Sequence, residues 1–184
     1  MVRREEAAWD PTAWVVLDSR AGVHPVAGKV SPSFEALVSA AASIGTRLVR
    51  DGYAVGLVDA EGASHHVAAD RPDGEDSWLD PLIDVALTGA PDLLEATATL
   101  SRVGGEHLVV ALLGGLDRSI ADALASAAGA RETRIALALA PTPDGQPDWD
   151  AGAALLADHG WTVRSLPGGG DALAAAWAEQ GALR

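Results

Sequence analysis

The chain has 184 residues, 48% hydrophobic and 21% charged, enough for one sizeable core and too rich in apolar side chains for a disordered segment. Its 26 acidic and 13 basic residues leave a net charge of -13, which repels a nucleic-acid backbone or an anionic membrane surface, and the basic pair Arg3-Arg4 is cancelled at once by Glu5-Glu6. Cysteine is absent, which excludes disulfides, thiolate metal sites and thiol nucleophiles, and no apolar run approaches the roughly 18 to 20 residues of a membrane span, so the chain as given reads as soluble.

Ala13 to Leu17 is a short apolar run ending at Asp18, the pattern of a central strand buried on both faces. A loop from Ser19 to Val30 follows. Ser31 then caps a helix with Pro32 at its first position, where the missing amide costs nothing. Phe34, Leu37, Val38, Ala41, Ile44, Gly45 and Leu48 recur at three- and four-residue spacing, so this helix buries one stripe against a sheet and stops at Gly52. Tyr53 to Val58 is a second strand, and Asp59-Ala60-Glu61-Gly62 turns the chain into a short antiparallel third strand, Ala63 to Val67. After a polar loop from Ala69 to Asp76, two helical stretches are predicted, Ser77 to Leu87 and Pro91 to Ser101, separated by Thr88-Gly89-Ala90. Leu79, Leu82, Ile83 and Ala86 mark the expected buried side of the first, and Leu93, Leu94, Ala98 and Leu100 that of the second.

From there strands and helices alternate regularly. His107 to Leu113 is a fourth strand, Asp117 caps a helix ending near Gly129, and Thr133 to Leu139 is a fifth strand. A proline-rich connection, Pro141 to Pro147, leads to a helix capped by Asp148 and closed by Gly160; Trp161 to Leu166 is a sixth strand, and a last helix runs from about Asp171 to Gly181. Such alternation implies parallel strands joined by right-handed crossovers, with helices on both faces. The expectation is one α/β domain over residues 1–184 with a short N-terminal arm (1–12). Its doubly wound, mostly parallel six-stranded sheet has the order 3-2-1-4-5-6, strand 3 being antiparallel.

The element order, with an antiparallel hairpin strand after the second strand and paired helices before the fourth, resembles a von Willebrand factor A domain. Val2-Arg3-Arg4-Glu5-Glu6, Val16-Leu17-Asp18-Ser19-Arg20-Ala21, Ser33-Phe34-Glu35, Val38 to Ile44 and Arg50-Asp51-Gly52-Tyr53-Ala54-Val55 are similar to the C-terminal part of the bacterial domain of unknown function 58 family. Leu155 to Trp161 and Ala174-Ala175-Ala176-Trp177 fit as well. The resemblance implies a fragment of a membrane-anchored parent, at the cytoplasmic face of the membrane, that works as a scaffold or adaptor with a MoxR-type AAA+ ATPase.

Many von Willebrand factor A domains hold a divalent metal through Asp-x-Ser-x-Ser after the first strand, a threonine from a later loop and an aspartate after the fourth strand, a set of hard oxygen ligands. Carried over by position, Asp18 matches the aspartate and Thr88 the loop threonine, while Arg20 and Gly22 stand where the serines would be. After the fourth strand come Gly114-Gly115-Leu116, and Asp117 beyond them reads as a helix cap. A degenerate metal site is expected, with no cofactor.

Other chemistry finds less footing. The turn after the first strand, Ser19-Arg20-Ala21-Gly22-Val23-His24, lacks the G-x-G-x-x-G needed for a pyrophosphate, and no G-x-S-x-G nucleophile elbow occurs. Gly168-Gly169-Gly170 reads as a connection rather than an anion cradle. His65-His66 lies on an edge strand, where neighbours point to opposite faces, and His24, His107 and His159 are scattered singly. Candidate binding residues are therefore Asp18, Ser19, Arg20, Ser31, Ser33, Thr88 and Asp117. The leading expectation is a protein-interaction domain without enzymatic activity; the alternative is a hydrolase or phosphotransferase using Asp18 at the switch point of the sheet.

Overall fold

Six short runs of apolar and β-branched residues become the strands of one sheet. The computed structural model describes residues 11–26, 31–69, 71–103, 107–127 and 133–166. The strands are β1 (Thr12–Leu17), β2 (Ala54–Val58), β3 (Ser64–Val67), β4 (His107–Leu113), β5 (Thr133–Leu139) and β6 (Trp161–Leu166). Their order is β3-β2-β1-β4-β5-β6. β3 pairs antiparallel with β2 and every other pairing is parallel, as the alternation of elements predicts. In the central register Val16 faces Val58 on one side and Ala111 on the other. The expected last helix, the glycine run 168–170 and most of the N-terminal arm lie outside the described residues.

Because successive strand residues point to opposite faces, β1 feeds two cores. Ala13, Val15 and Leu17 pack with α1 (Pro32–Arg50) and α2 (Gly74–Ile83); Trp14 and Val16 join the layer of α3 (Leu94–Val103), α4 (Arg118–Ala127) and α5 (Gln146–Asp158). Helix α1 behaves as its periodicity requires. Phe34, Leu37, Ala41, Ile44, Gly45 and Leu48 are buried, Val38 is half-buried against the same core, and the Ser31 hydroxyl accepts a hydrogen bond from the Phe34 amide as the helix cap. The stop at Gly52 uses a φ of +84°, a conformation glycine adopts without a Cβ penalty.

The two helices before β4 depart from expectation. α2 starts at Gly74 and ends at Ile83, and α3 runs from Leu94 to Val103. Their buried faces are also shifted: Trp78 and Leu82 are buried whereas Leu79, Ile83 and Ala86 are exposed, and Leu93 is buried whereas Leu94 is 58% exposed. Ala98 and Leu100 are half-buried. The cause in α2 is a specific fit. The Trp78 indole lies so close to Gly45 of α1 that a Cβ there would collide with it, and its N–H donates to the Ala41 carbonyl at 3.2 Å. An indole carries more apolar area than a leucine and needs a partner for its N–H, so the position offering both decides how the helix is rotated. In α5, Gly145 holds the cap position and Asp148 lies within the first turn, a correction to the expected Asp148 cap; a carboxylate there still favours the positive end of the helix.

Candidate functional site

β1 is central, so the residue after it emerges between the ends of β2 and β4, the place where ligands bind in open α/β sheets. That residue is Asp18, fully buried, with its amide donating to the Leu112 carbonyl at 2.9 Å. Its carboxylate is enclosed by donors. Arg20 Nε reaches Oδ1 and Arg20 NH2 reaches Oδ2, both at 2.8 Å, and the Gly114 amide donates to Oδ2 at 3.0 Å. The planar guanidinium matches both carboxylate oxygens at once, the geometry in which a buried pair best offsets its loss of hydration. Burial works to lower the Arg20 pKa, but the hydrogen bond and charge of Asp18, with Asp117 and Asp92 farther out, outweigh it and raise the pKa above the ordinary arginine value.

Thr88 comes to this pair from 68 positions along the chain after Arg20 through a short parallel bridge between the two residues. The Ala21 amide donates to the Thr88 carbonyl at 2.9 Å and the Thr88 amide to the Ser19 carbonyl at 2.7 Å. The Thr88 hydroxyl is a longer 3.4 Å from the same Ser19 carbonyl. Ser19 is buried as well, its hydroxyl accepting from the Ala60 amide at 3.1 Å and tying in the turn after β2. Three loops are therefore fastened to the end of β1.

Ser31 and Ser33 reach the same place through His24, a residue with no local partner in sequence. His24 is buried; its Nε2 donates to the Asp18 carbonyl at 2.8 Å and its Nδ1 lies 3.0 Å from the Ser33 hydroxyl, which is 3.2 Å from that of Ser31. Since a carbonyl only accepts, Nε2 carries a proton. Gly114 makes room for this arrangement, because a Cβ there would collide with the imidazole. Glycine at 114 thus serves both the Asp18 carboxylate and the His24 ring. No sequence signal pairs His24 with Ser33, which stands nine residues later across the start of α1.

Asp117 stands apart. One of its oxygens accepts from the Ile120 amide at 3.0 Å and from the Ser119 hydroxyl at 2.7 Å, so it is the cap of α4 that the sequence predicts. Burial works to raise its pKa, but these bonds, a backbone bond from Ser119 and the charge of Arg20 prevail and lower it. Asp18, Ser19, Arg20 and Thr88 form one bonded group, Ser31 and Ser33 join it through His24, and Asp117 acts on Arg20 by charge alone.

These residues do not fit a divalent cation. Both Asp18 oxygens are engaged by a guanidinium that cannot be deprotonated, Ser19 Oγ already accepts from an amide, and one oxygen of Asp117 holds its helix cap. Nor does Asp18 suit nucleophilic or base chemistry as it stands. It has no exposed surface, and donors hold both of its oxygens.

Solved proteins to which the chain is similar in structure include the following three. A von Willebrand factor type A protein from Catenulispora acidiphila aligns with a TM-score of 0.57 at 14% identity over 93% of this chain and 42% of its own. The pilus adhesin SpaC from Lactobacillus rhamnosus GG aligns at 0.67 and 11% identity over 95% of this chain and 30% of its own, and a mutant of the PilB minor pilin from Streptococcus sanguinis at 0.64 and 8% over 93% and 60%. The chain thus spans less than two thirds of the length of each. No protein-family model matches the sequence, and comparison with curated proteins gives no match. At such identities the likeness shows the fold: a von Willebrand factor A-like, mostly parallel sheet flanked by helices.

Proposed function

We propose that this domain is a protein-interaction module whose upper loop face works without a divalent cation. The observation that carries the reading is the two-point pair of Arg20 on Asp18: a tethered cation neutralises the buried carboxylate at the switch point, and the β1 loop and Thr88 are fastened around it. The von Willebrand factor A-like fold supports it, as do structural neighbours described as a pilus adhesin and a minor pilin. The residues resembling the domain of unknown function 58 family extend the proposal to a membrane-anchored parent, with this domain at the cytoplasmic face and a MoxR-type AAA+ ATPase as partner. No helix among the described residues is long and apolar enough to cross a membrane, so the anchor would belong to another part of that parent. The hydrolase or phosphotransferase alternative asks for an accessible Asp18, and a fully buried carboxylate on an arginine fork does not supply one.

The test is binding of this chain to a nucleotide-free MoxR-type ATPase from the same genome, measured by biolayer interferometry in EDTA and in millimolar magnesium. Equal affinity in both is expected. Binding that EDTA abolishes, or none to that ATPase under either condition, contradicts the respective part of the reading.

A further inference from the structure

Helices α3 and α4 meet near their C-terminal ends, where the Ser101 hydroxyl lies 3.5 Å from the Ala127 carbonyl, and leave a gap beside that contact. Small side chains face across the gap, Ala98 from α3 with Ala123 and Ser126 from α4, and leave an open groove of about 710 Å³. Leu94 lines it and is 58% exposed on a helix whose buried positions lie elsewhere. The hydroxyls in the groove already have acceptors: Ser126 the Asp122 carbonyl at 2.7 Å, Thr97 the Leu94 carbonyl at 2.9 Å, Ser119 the Asp117 carboxylate at 2.7 Å, and Ser101 the Thr97 carbonyl at 2.9 Å. The carboxylates differ. That of Asp122 has no hydrogen-bond or ion-pair partner among the described residues, and Asp92 has one oxygen engaged, by the Leu94 amide at 2.9 Å. No basic side chain lines the groove among the described residues, and Arg20, on which the charge of Asp92 acts, is already committed to Asp18.

We infer that the groove between α3 and α4 receives an amphipathic basic helix of a protein partner. Apolar side chains would lie on Leu94 and the alanine floor, and lysine or arginine would meet Asp92 and Asp122. Charge complementarity selects this occupant, because two carboxylates in a groove lined by no basic side chain among the described residues, on a chain of net charge -13, repel an acidic segment and attract a basic one. The inference rests on reading the domain as an interaction module and specifies the chemistry of one partner.

The test is isothermal titration of the full chain with a synthetic helical peptide of leucine and lysine and with its counterpart carrying glutamate for lysine. The lysine peptide is expected to bind at a single site and the glutamate peptide not to bind. Asp122→Asn should weaken binding about threefold, the size of an exposed ion pair. Ser126→Trp, which lays an indole across the groove from an exposed position, should weaken it about tenfold or more. Both variants should keep the parent melting temperature, and Asp80→Asn on α2, across the sheet, should bind as the parent does.

Several results overturn the inference: no binding of the lysine peptide; an equal loss with Asp80→Asn, which marks general attraction to an acidic chain; binding that appears only after removal of residues 1–10, which makes the chain's own segment the occupant; or groove variants that break self-association in sedimentation, which makes it a second copy. Binding abolished by Gly22→Trp while the groove variants are silent also overturns it. That last result leaves the interaction-module reading standing, with its contact moved to the upper loops, since a Cβ at Gly22 meets nothing within 4 Å.

Discussion

The guanidinium of Arg20 donates to both carboxylate oxygens of Asp18, with two contacts of 2.8 Å, both residues being almost wholly inaccessible. Removing one partner leaves the other charge buried and unpaired. Arg20→Ala and Asp18→Ala should each destabilise the domain by about 3 to 5 kcal/mol in urea unfolding. The double variant should cost less than the sum, with a coupling of about 1 to 3 kcal/mol. Additive losses would mean that the pair is geometry without energetic consequence.

The same pair dictates the response to metal. Millimolar magnesium, calcium or manganese should leave the thermal midpoint unchanged, since a ligand stabilises only as its concentration exceeds its dissociation constant. A clear rise that Asp18→Ala removes would overturn this. Arg20→Ser with Gly22→Ser restores the serine positions, yet Gly114 still stands after β4 and Asp117 remains on its cap, so that variant should bind weakly at best.

Core fit gives a sharper measurement on the other side of the sheet. Leu37 has no exposed surface, and Leu37→Ala should cost about 2 to 5 kcal/mol as a core truncation. Gly45→Ala adds a single methyl where the Trp78 indole lies, and should cost about 1 to 3 kcal/mol through displacement of that ring. Trp78 fluorescence should shift in the Gly45 variant, although five other tryptophans share the spectrum, so the comparison requires Trp78→Phe as its blank.

Asp117 links the site to pH. Asp117→Ala should cost about 1 kcal/mol at neutral pH by removing the cap of α4. Its pKa is lowered in the folded state, so its charged form stabilises the domain above the unfolded value and this contribution disappears as pH falls through the folded value. The stability difference between parent and variant should therefore hold from neutral pH to about 4 and shrink below it. A difference independent of pH would assign the effect to packing.

The arrangement of elements was legible because it follows from local pattern. Apolar runs ending at Asp18 and Gly114, the Ser31 and Asp117 caps, and glycines at 52, 62 and 160 with positive φ specify strands, helix starts and stops through contacts within a few residues. Alternation of those elements then restricts the sheet to very few orders. Asp18 and Arg20, two positions apart, were also legible as candidate site residues. The rest was decided by distance in space. Which side of α2 is buried depended on the gap at Gly45, which set Trp78 inward and left Ile83 in solvent; periodicity alone weighs leucine and isoleucine and knows nothing of that gap. His24 finds Ser33, Thr88 finds Ser19, and Gly114 touches both Asp18 and His24 only once the sheet has brought the ends of β1 and β4 together. A sequence records which groups are present and how they space along one element, but a hydrogen bond or a steric fit between elements depends on their separation in three dimensions, and packing sets that separation.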